Sequence, residues 1–98
     1  MTISKTQNGT ALNIALEGRL DTTTAPDLEK ALKSSMGGAS ELVIDFSGLE
    51  YISSAGLRVL LSAHKAMAGK DGMKVINVNE IVQEVFDVTG FSDILTIE

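Results

Sequence analysis

Two adjacent hydroxyls, those of Ser53 and Ser54, are the groups of this chain best placed to do chemistry. They follow an apolar stretch and precede an amphipathic one, so we expect them in a turn between a strand and a helix. A serine at a helix N-terminus lies beside unpaired backbone N–H groups, where the helix dipole favours added negative charge. The pattern therefore predicts an exposed hydroxyl that could carry a phosphate. A plain helix N-cap is the alternative, since serine fills that position well.

Three further residues surround this turn in the predicted arrangement. Arg58 lies one helical turn beyond Ser54, so its guanidinium could reach a phosphate on that serine, although it could equally be a solvated charge. Gly56 permits either close approach of a partner's backbone or packing of the helix start. Asp21 follows the second predicted strand and is either a neighbour of Ser54 or a turn residue that bonds its own backbone.

Signatures of catalysis are absent from the sequence. There is no Gly-x-Ser-x-Gly elbow, no P-loop and no Gly-x-Gly-x-x-Gly after a strand. The single histidine, His64, is predicted roughly two and a half helical turns from Ser54, and with no cysteine or second histidine it fits a packed or boundary position. We therefore expect a protein that is not an enzyme and has no cofactor and no metal site.

Length and charge narrow the class of protein further. The 98 residues suit one domain, and 44% of them are hydrophobic. The net charge of −5, without a run of Lys or Arg, argues against direct nucleic-acid binding. No apolar run approaches membrane-spanning length, the N-terminus has no signal-peptide core, and cysteine is absent. We expect a cytoplasmic protein that does not insert into membranes.

The element pattern begins with a hairpin and continues with alternating helices and strands. Asn8-Gly9 predicts a type I′ turn after a strand over 3–7, and the next strand turns Leu12, Ile14 and Leu16 to one side. Thr24 is predicted to cap the first helix, with Asp27 completing a capping box. The later elements are a helix over 25–36, a buried central strand from Leu42, a helix after Ser54, a strand over 73–78, a helix capped by Asn79 and ended by Gly90, and a short strand over 94–97.

This order predicts an α/β fold with a mixed, mostly parallel sheet, an N-terminal β-hairpin and packed helices. Parallel strands carry their carboxyl ends to one edge of a sheet, where binding sites of open α/β sheets are found. The loops over 18–23, 47–54 and 77–79 should gather at that edge. We therefore expect Asp21 and Ser54 on one surface.

The segment from Asp45 to Leu61 resembles the signature of STAS domains, the fold of bacterial anti-sigma factor antagonists. In that family the motif Asp-Ser-Ser/Thr-Gly-Leu carries a phosphorylated serine after the aspartate. Ser54 matches this serine and Gly56-Leu57 the following pair, while Ser53 stands in place of Asp and Ala55 in place of Ser or Thr. The segment Gly18-Arg19-Leu20-Asp21 similarly resembles the family's Gly-Glu-Leu-Asp.

The resemblance covers nearly the whole chain and implies a single STAS domain over residues 1–98. It implies a protein that binds an anti-sigma factor with serine kinase activity and so releases a sigma factor. The kinase would phosphorylate Ser54, with Ser53 as the alternative acceptor, and a serine phosphatase would restore the free form. The partner surface implied comprises Asp21, Ser53, Ser54, Gly56 and Arg58. The alternatives are a non-phosphorylated accessory subunit of an ABC-type lipid transport complex and a scaffold in a signalling assembly.

Overall fold

The computed structural model describes all 98 residues, and its element order is that expected from the sequence. Short 3₁₀ turns over Met36–Gly38 and Phe91–Asp93 follow the first and third helices. None of the helices has the length and apolarity that crossing a membrane requires. The strands and helices are β1 (Thr2–Asn8), β2 (Ala11–Leu20), α1 (Ala25–Ser35), β3 (Glu41–Ile52), α2 (Ser54–Met67), β4 (Gly72–Ile76), α3 (Glu80–Thr89) and β5 (Thr96–Ile97).

The five strands form one sheet in the order β1-β2-β3-β4-β5, with β1 antiparallel to β2 and all other pairs parallel. The central place predicted for β3 is confirmed. Three right-handed crossovers that step in one direction leave all three helices on the same face of the sheet. Leu42 and Ile44 join the single core of 23 buried residues on that face. Val43, which points to the other face, is buried without joining that core.

The predicted hairpin is present, but its turn is displaced by one residue. Asn8 pairs with Ala11, so Gly9 and Thr10 form the two-residue turn. Gly9 has a φ of +66°, whereas Asn8 does not have a positive φ. The type I′ prediction is therefore wrong, because positive φ at the first turn residue alone is the type II′ pattern.

Both β2 and β3 run further than the sequence predicted. The loops expected over 18–23 and 47–54 are shorter than predicted, since β2 continues to Leu20 and β3 to Ile52. The pairing of β3 with β2 shifts register twice, and each shift inserts one extra residue in β3, as in a β-bulge. At Gly48 a Cβ atom would lie 2.9 Å from the Leu16 carbonyl oxygen, so the two strands approach too closely for any side chain. The glycines that indicated loops belong to bulged strands.

The helix termini show which capping predictions hold. Asn79 caps α3 as predicted, since its Oδ1 accepts from the Val82 N–H at 2.8 Å. Gly90 ends α3 with a left-handed φ of +83°, as the sequence indicated. The predicted side-chain cap of α1 is wrong, because Thr24 Oγ1 donates to the Arg19 carbonyl and its own N–H binds the Asp21 carboxylate. The Asp21 carboxylate accepts from the Thr24 N–H, the bond predicted for Asp27, while no side chain takes the capping role predicted of Thr24.

Replacing Asn79 should separate two bonds that its amide makes. Nδ2 donates to the Leu49 carbonyl at 2.7 Å, while Oδ1 caps α3. Asn79→Ala removes both and is expected to lower the free energy of unfolding by about 1–3 kcal/mol. Asn79→Ser keeps a side-chain oxygen that can cap α3 and loses the amide donor, so its loss should be smaller. Urea denaturation measures both, with exposed Glu84→Ala as the control, and equal losses for Ser and Ala would contradict a capping role.

Candidate functional site

The candidate site lies where the carboxyl ends of β2 and β3 meet the beginning of α2. Leu20 and Ile52 are the last paired residues of these two strands. Directly beyond them, the Ser53 N–H donates to the Leu20 carbonyl at 2.9 Å. This bond joins the loop that contains Asp21 to the residue preceding α2, so the two predicted site segments leave the sheet at the same edge.

The two serines of this junction differ in access. Ser54 is the first residue of α2 and is exposed. Ser53 occupies the N-cap position that the alternative interpretation gave to Ser54, and its Oγ is buried without a hydrogen-bond partner. No side chain caps α2, and the N–H groups of Ser54, Ala55 and Gly56 donate to no acceptor in the protein. Ser54 therefore offers a reachable hydroxyl beside free backbone donors, whereas the Ser53 hydroxyl is enclosed.

Gly56 lies beneath the surface rather than on it. A Cβ atom there would lie 2.6 Å from Leu20 Cγ and 2.9 Å from Ile52 Cγ1, closer than side-chain atoms approach one another. The first turn of α2 can therefore rest on the ends of β2 and β3 only because this residue has no side chain. The sequence left open whether Gly56 meets a partner's backbone or packs the helix start, and the structure shows packing. Gly56 thereby positions Ser54 at the start of α2.

The Asp21 carboxylate organises its own loop. Its Oδ1 accepts from the Thr23 hydroxyl at 2.7 Å and from the N–H groups of Thr23 and Thr24 at 3.0 and 3.2 Å. The Thr23 hydroxyl, and then these backbone donors, hold the pKa of Asp21 below its ordinary value. Asp21 makes no hydrogen bond to Ser53 or Ser54. Asp21 therefore forms the turn, as one of the two interpretations held, and it does not orient the Ser54 hydroxyl by a hydrogen bond.

Arg58 supplies a positive charge on the exposed side of α2. It forms no ion pair and lines a concavity of about 330 Å³ between α1 and α2. The same concavity is bordered by Thr22 and Glu29, with Ala25 and Val59 among its apolar walls. A partner that covers the α2 start would therefore find a free cation and a partly apolar hollow next to Ser54.

The third loop at this edge is tied to β3 by contacts the sequence did not reveal. Asn77 has a φ of +58° and donates through Nδ2 to the Asp45 carboxylate at 3.0 Å. That bond, followed by the Ser47 N–H, lowers the pKa of Asp45. Asparagine tolerates left-handed backbone better than most residues, which was the only available signal for Asn77. The stacking of Arg19 over the Tyr51 ring, at 4.5 Å, was also missed.

His64 is remote from this junction. It is half-buried on α2 and lines a depression with Glu41 and Asp71, residues from the opposite end of the parallel strands. A boundary position is what the sequence indicated for it. Nowhere in the chain do three or more His, Asp or Glu side chains gather in a way that could hold a metal ion.

Comparison with known proteins finds a matching family model and named relatives. A family model described as "Mlab, STAS domain" matches residues 3–96. BtrV of Bordetella bronchiseptica, provisionally named an anti-sigma factor antagonist, is 36% identical over 84% of this chain and 72% of its own length. The anti-sigma-B factor antagonist of Bacillus subtilis is 29% identical over 93% of this chain and 84% of its own length.

Solved structures match the fold closely. An anti-sigma factor antagonist from Mycobacterium paratuberculosis superposes with a TM-score of 0.89 at 24% identity, covering 98% of this chain and 83% of that one. The Bacillus protein SpoIIAA in its unphosphorylated form gives 0.84 at 16% identity, covering 99% of this chain and 88% of the other. SpoIIAA has also been solved in a phosphorylated form, with a TM-score of 0.76. Because these sequence identities are below 25%, the superpositions show that the proteins share a fold.

Gly56→Ala tests the packing of the α2 start. Alanine favours a helix by about 1 kcal/mol over glycine, but the added methyl overlaps Leu20 and Ile52. The overlap should prevail and lower the free energy of unfolding by about 1–3 kcal/mol, measured by urea denaturation. Gly69→Ala is the matched control, because no atom lies within 4 Å of a Cβ there. A stabilised Gly56→Ala protein would contradict the close packing.

The Asp21 loop should make the protein sensitive to acid. A carboxyl whose pKa is lowered by folding stabilises the folded state above its unfolded pKa of about 3.9, and that stabilisation is lost as the pH falls through the folded value. Asp45 and Asp87 act in the same direction. The free energy of unfolding should therefore fall below about pH 4, and less steeply in Asp21→Asn. Exposed Asp71→Asn serves as the control, and identical slopes in all three proteins would refute the role of Asp21.

Proposed function

This chain belongs to the STAS domain family, and from that premise we propose that it is an anti-sigma factor antagonist gated by phosphorylation of Ser54. In its free form it binds an anti-sigma factor that is also a serine kinase, and a sigma factor is released. Phosphorylation of Ser54 ends the binding, and a serine phosphatase restores it. The exposure of Ser54 at the uncapped start of α2 is the observation that carries this proposal.

The geometry favours Ser54 over Ser53 as the acceptor. In phosphoryl transfer the hydroxyl oxygen attacks the γ-phosphorus of ATP, the bond to ADP breaks, and the hydroxyl proton passes to a base of the kinase. The attacking oxygen must therefore be reachable from solvent. Ser54 meets that requirement, whereas the Oγ of Ser53 is buried beneath the junction.

The surroundings of Ser54 suit a phosphate once it is attached. The free N–H groups of the first turn and the positive end of the helix dipole stabilise added negative charge. Arg58, four residues on and without an ion pair, is within the spacing at which a guanidinium pairs with a phosphate. The phosphate would thus leave the fold intact and alter only the exposed surface.

A charge change at this position is large enough to act as a switch. Phosphate adds a charge of about −1.5 to −2 to a contact surface whose neighbouring loop already carries Asp21. Bringing like charges together across an interface costs several kcal/mol, and about 1.4 kcal/mol is a tenfold change in affinity. The partner surface proposed comprises Asp21, Ser53, Ser54 and Arg58, with Gly56 placing them.

Binding without phosphorylation is the second candidate, and the motif itself favours it. Ser53 stands where the family's phosphorylated motif has an acid, and its hydroxyl is enclosed rather than free to replace that acid. In this alternative the same surface contacts the ATPase of an ABC-type lipid transport complex as a permanent accessory subunit. Copurification with such an ATPase, unaffected by Ser54→Asp, would favour it.

Mass mapping of the modified residue tests the proposal. Incubation with ATP and an anti-sigma factor kinase from the same organism should add one phosphate to the wild-type protein and to Ser53→Ala, and none to Ser54→Ala. Ser54→Ala should remain folded, because its hydroxyl makes no hydrogen bond and caps no helix. Phosphate found only on Ser53 would show that the acceptor is misassigned. A wild-type protein that stays unmodified while binding the kinase would falsify the gating.

A further inference from the structure

The outer side of α3 carries an exposed apolar row that the proposed switch does not use. Ile81 and Val88 are 62% and 80% exposed, and half-buried Val85 lies between them at helical spacing. The opposite side of the same helix, Val82 and Phe86, is fully buried in the core. The row borders a depression of about 320 Å³, which Glu84 and Thr89 complete.

Exposed apolar side chains are concentrated in this part of the molecule. The four large hydrophobic residues with the greatest exposure are Tyr51, Ile81, Val88 and Ile94. Tyr51 is partly covered by Arg19, whereas the other three lie within or just after α3. Single exposed apolar residues are ordinary, but a row of them on one helix marks a contact surface.

The charged side chains of α3 and of the chain that follows it are all negative. Residues 75–98 contain five carboxylates and no Lys or Arg, while residues 1–74 contain eight acidic and eight basic residues. The whole net charge of −5 therefore belongs to the C-terminal quarter of the chain. On α3 itself the carboxylates are Glu80, Glu84 and Asp87, all exposed. Hydrogen bonds from Ser92 and Gln83 hold the Asp87 carboxylate in its charged form.

We propose that the α3 surface, defined by Ile81, Glu84, Val85 and Val88, binds an amphipathic helix of another protein whose apolar row is bordered by Lys and Arg. Apolar side chains spaced along a helix fit the apolar face of a second helix, and the acidic border selects basic neighbours. A second copy of this chain would bring carboxylates against carboxylates. An anionic lipid surface would be repelled for the same reason.

This surface is separate from the α2 start. The depression on α3 shares no residue with the concavity that Arg58 lines. One partner could therefore occupy α3 while another covers Ser54, and the inference stands whether or not Ser54 is phosphorylated. It would give the protein a second contact surface beside the switchable one.

A pair of synthetic helical peptides tests the inference on the full-length protein. Both carry the same leucine row, bordered by Lys in one peptide and by Glu in the other. Amide chemical shifts locate the binding site, and calorimetry measures the dissociation constant at low and high salt. We expect the Lys-bordered peptide to bind, with shifts confined to residues 78–94 and with weaker binding at high salt. The Glu-bordered peptide should not bind.

Variants at exposed positions connect the binding to named side chains. Glu84→Lys, and separately Ile81→Ser with Val88→Ser, should each raise the dissociation constant by about tenfold or more. Asp27→Lys makes the same charge change at an exposed position of α1 and should alter it by less than about twofold. Circular dichroism verifies that each variant is folded.

Three results would overturn the inference. The first is equal binding of both peptides, or shifts centred outside α3. The second is a concentration-dependent dimer of the protein that Val88→Ser dissociates, which would assign the surface to self-association. The third is binding of the protein to vesicles of anionic phospholipid that Ile81→Ser with Val88→Ser abolishes.

Discussion

The backbone bond between Ser53 and Leu20 is the contact on which the candidate site depends. It continues the β2–β3 ladder one residue past its last pair and so fixes where the chain turns into α2. The helix can begin there because Gly56 leaves room for Leu20 and Ile52. Parallel pairing, a bulged strand and one missing side chain together bring an exposed hydroxyl to the sheet edge. Each is a property of the backbone, and none requires a polar residue in the core.

The apolar interior of this protein stabilises the fold, whereas its charged groups lie on the surface. Every side chain of the core is apolar, and the Oγ of partly buried Ser53 is the one side-chain oxygen or nitrogen enclosed without a hydrogen-bond partner. Stability therefore rests on the packed face of the sheet, and the charged groups remain free to define contact surfaces. Those groups are unevenly distributed, with Arg58 unpaired beside Ser54 and an unbroken excess of carboxylates from residue 75 onward. In the proposed switch, a single phosphate would change one surface without touching the core.

The elements with strong periodicity or a specific terminal residue could be predicted from the sequence. The hairpin, the order of the elements and the Asn79 and Gly90 ends of α3 follow from such local signals. The ends of β2 and β3 could not be predicted in this way, because Gly18 and Gly48 interrupt the alternation as loop residues do. Pairing between distant segments nevertheless keeps both strands extended. The placement of Ser54 at the start of α2 was predicted correctly, whereas the N-cap is Ser53 and not Ser54 as the alternative interpretation held. Burial of the Ser53 hydroxyl depends on tertiary packing that no local pattern records.

In the proposed switch, a phosphate on Ser54 weakens partner binding by its charge while the fold stays the same. Titration calorimetry of the anti-sigma factor kinase against the unmodified protein, and against protein carrying phosphoserine at position 54, measures this directly. We expect a dissociation constant at least about a hundredfold higher for the phosphorylated form, with a difference that shrinks at high salt. Equal affinities for the two fully characterised forms would contradict it.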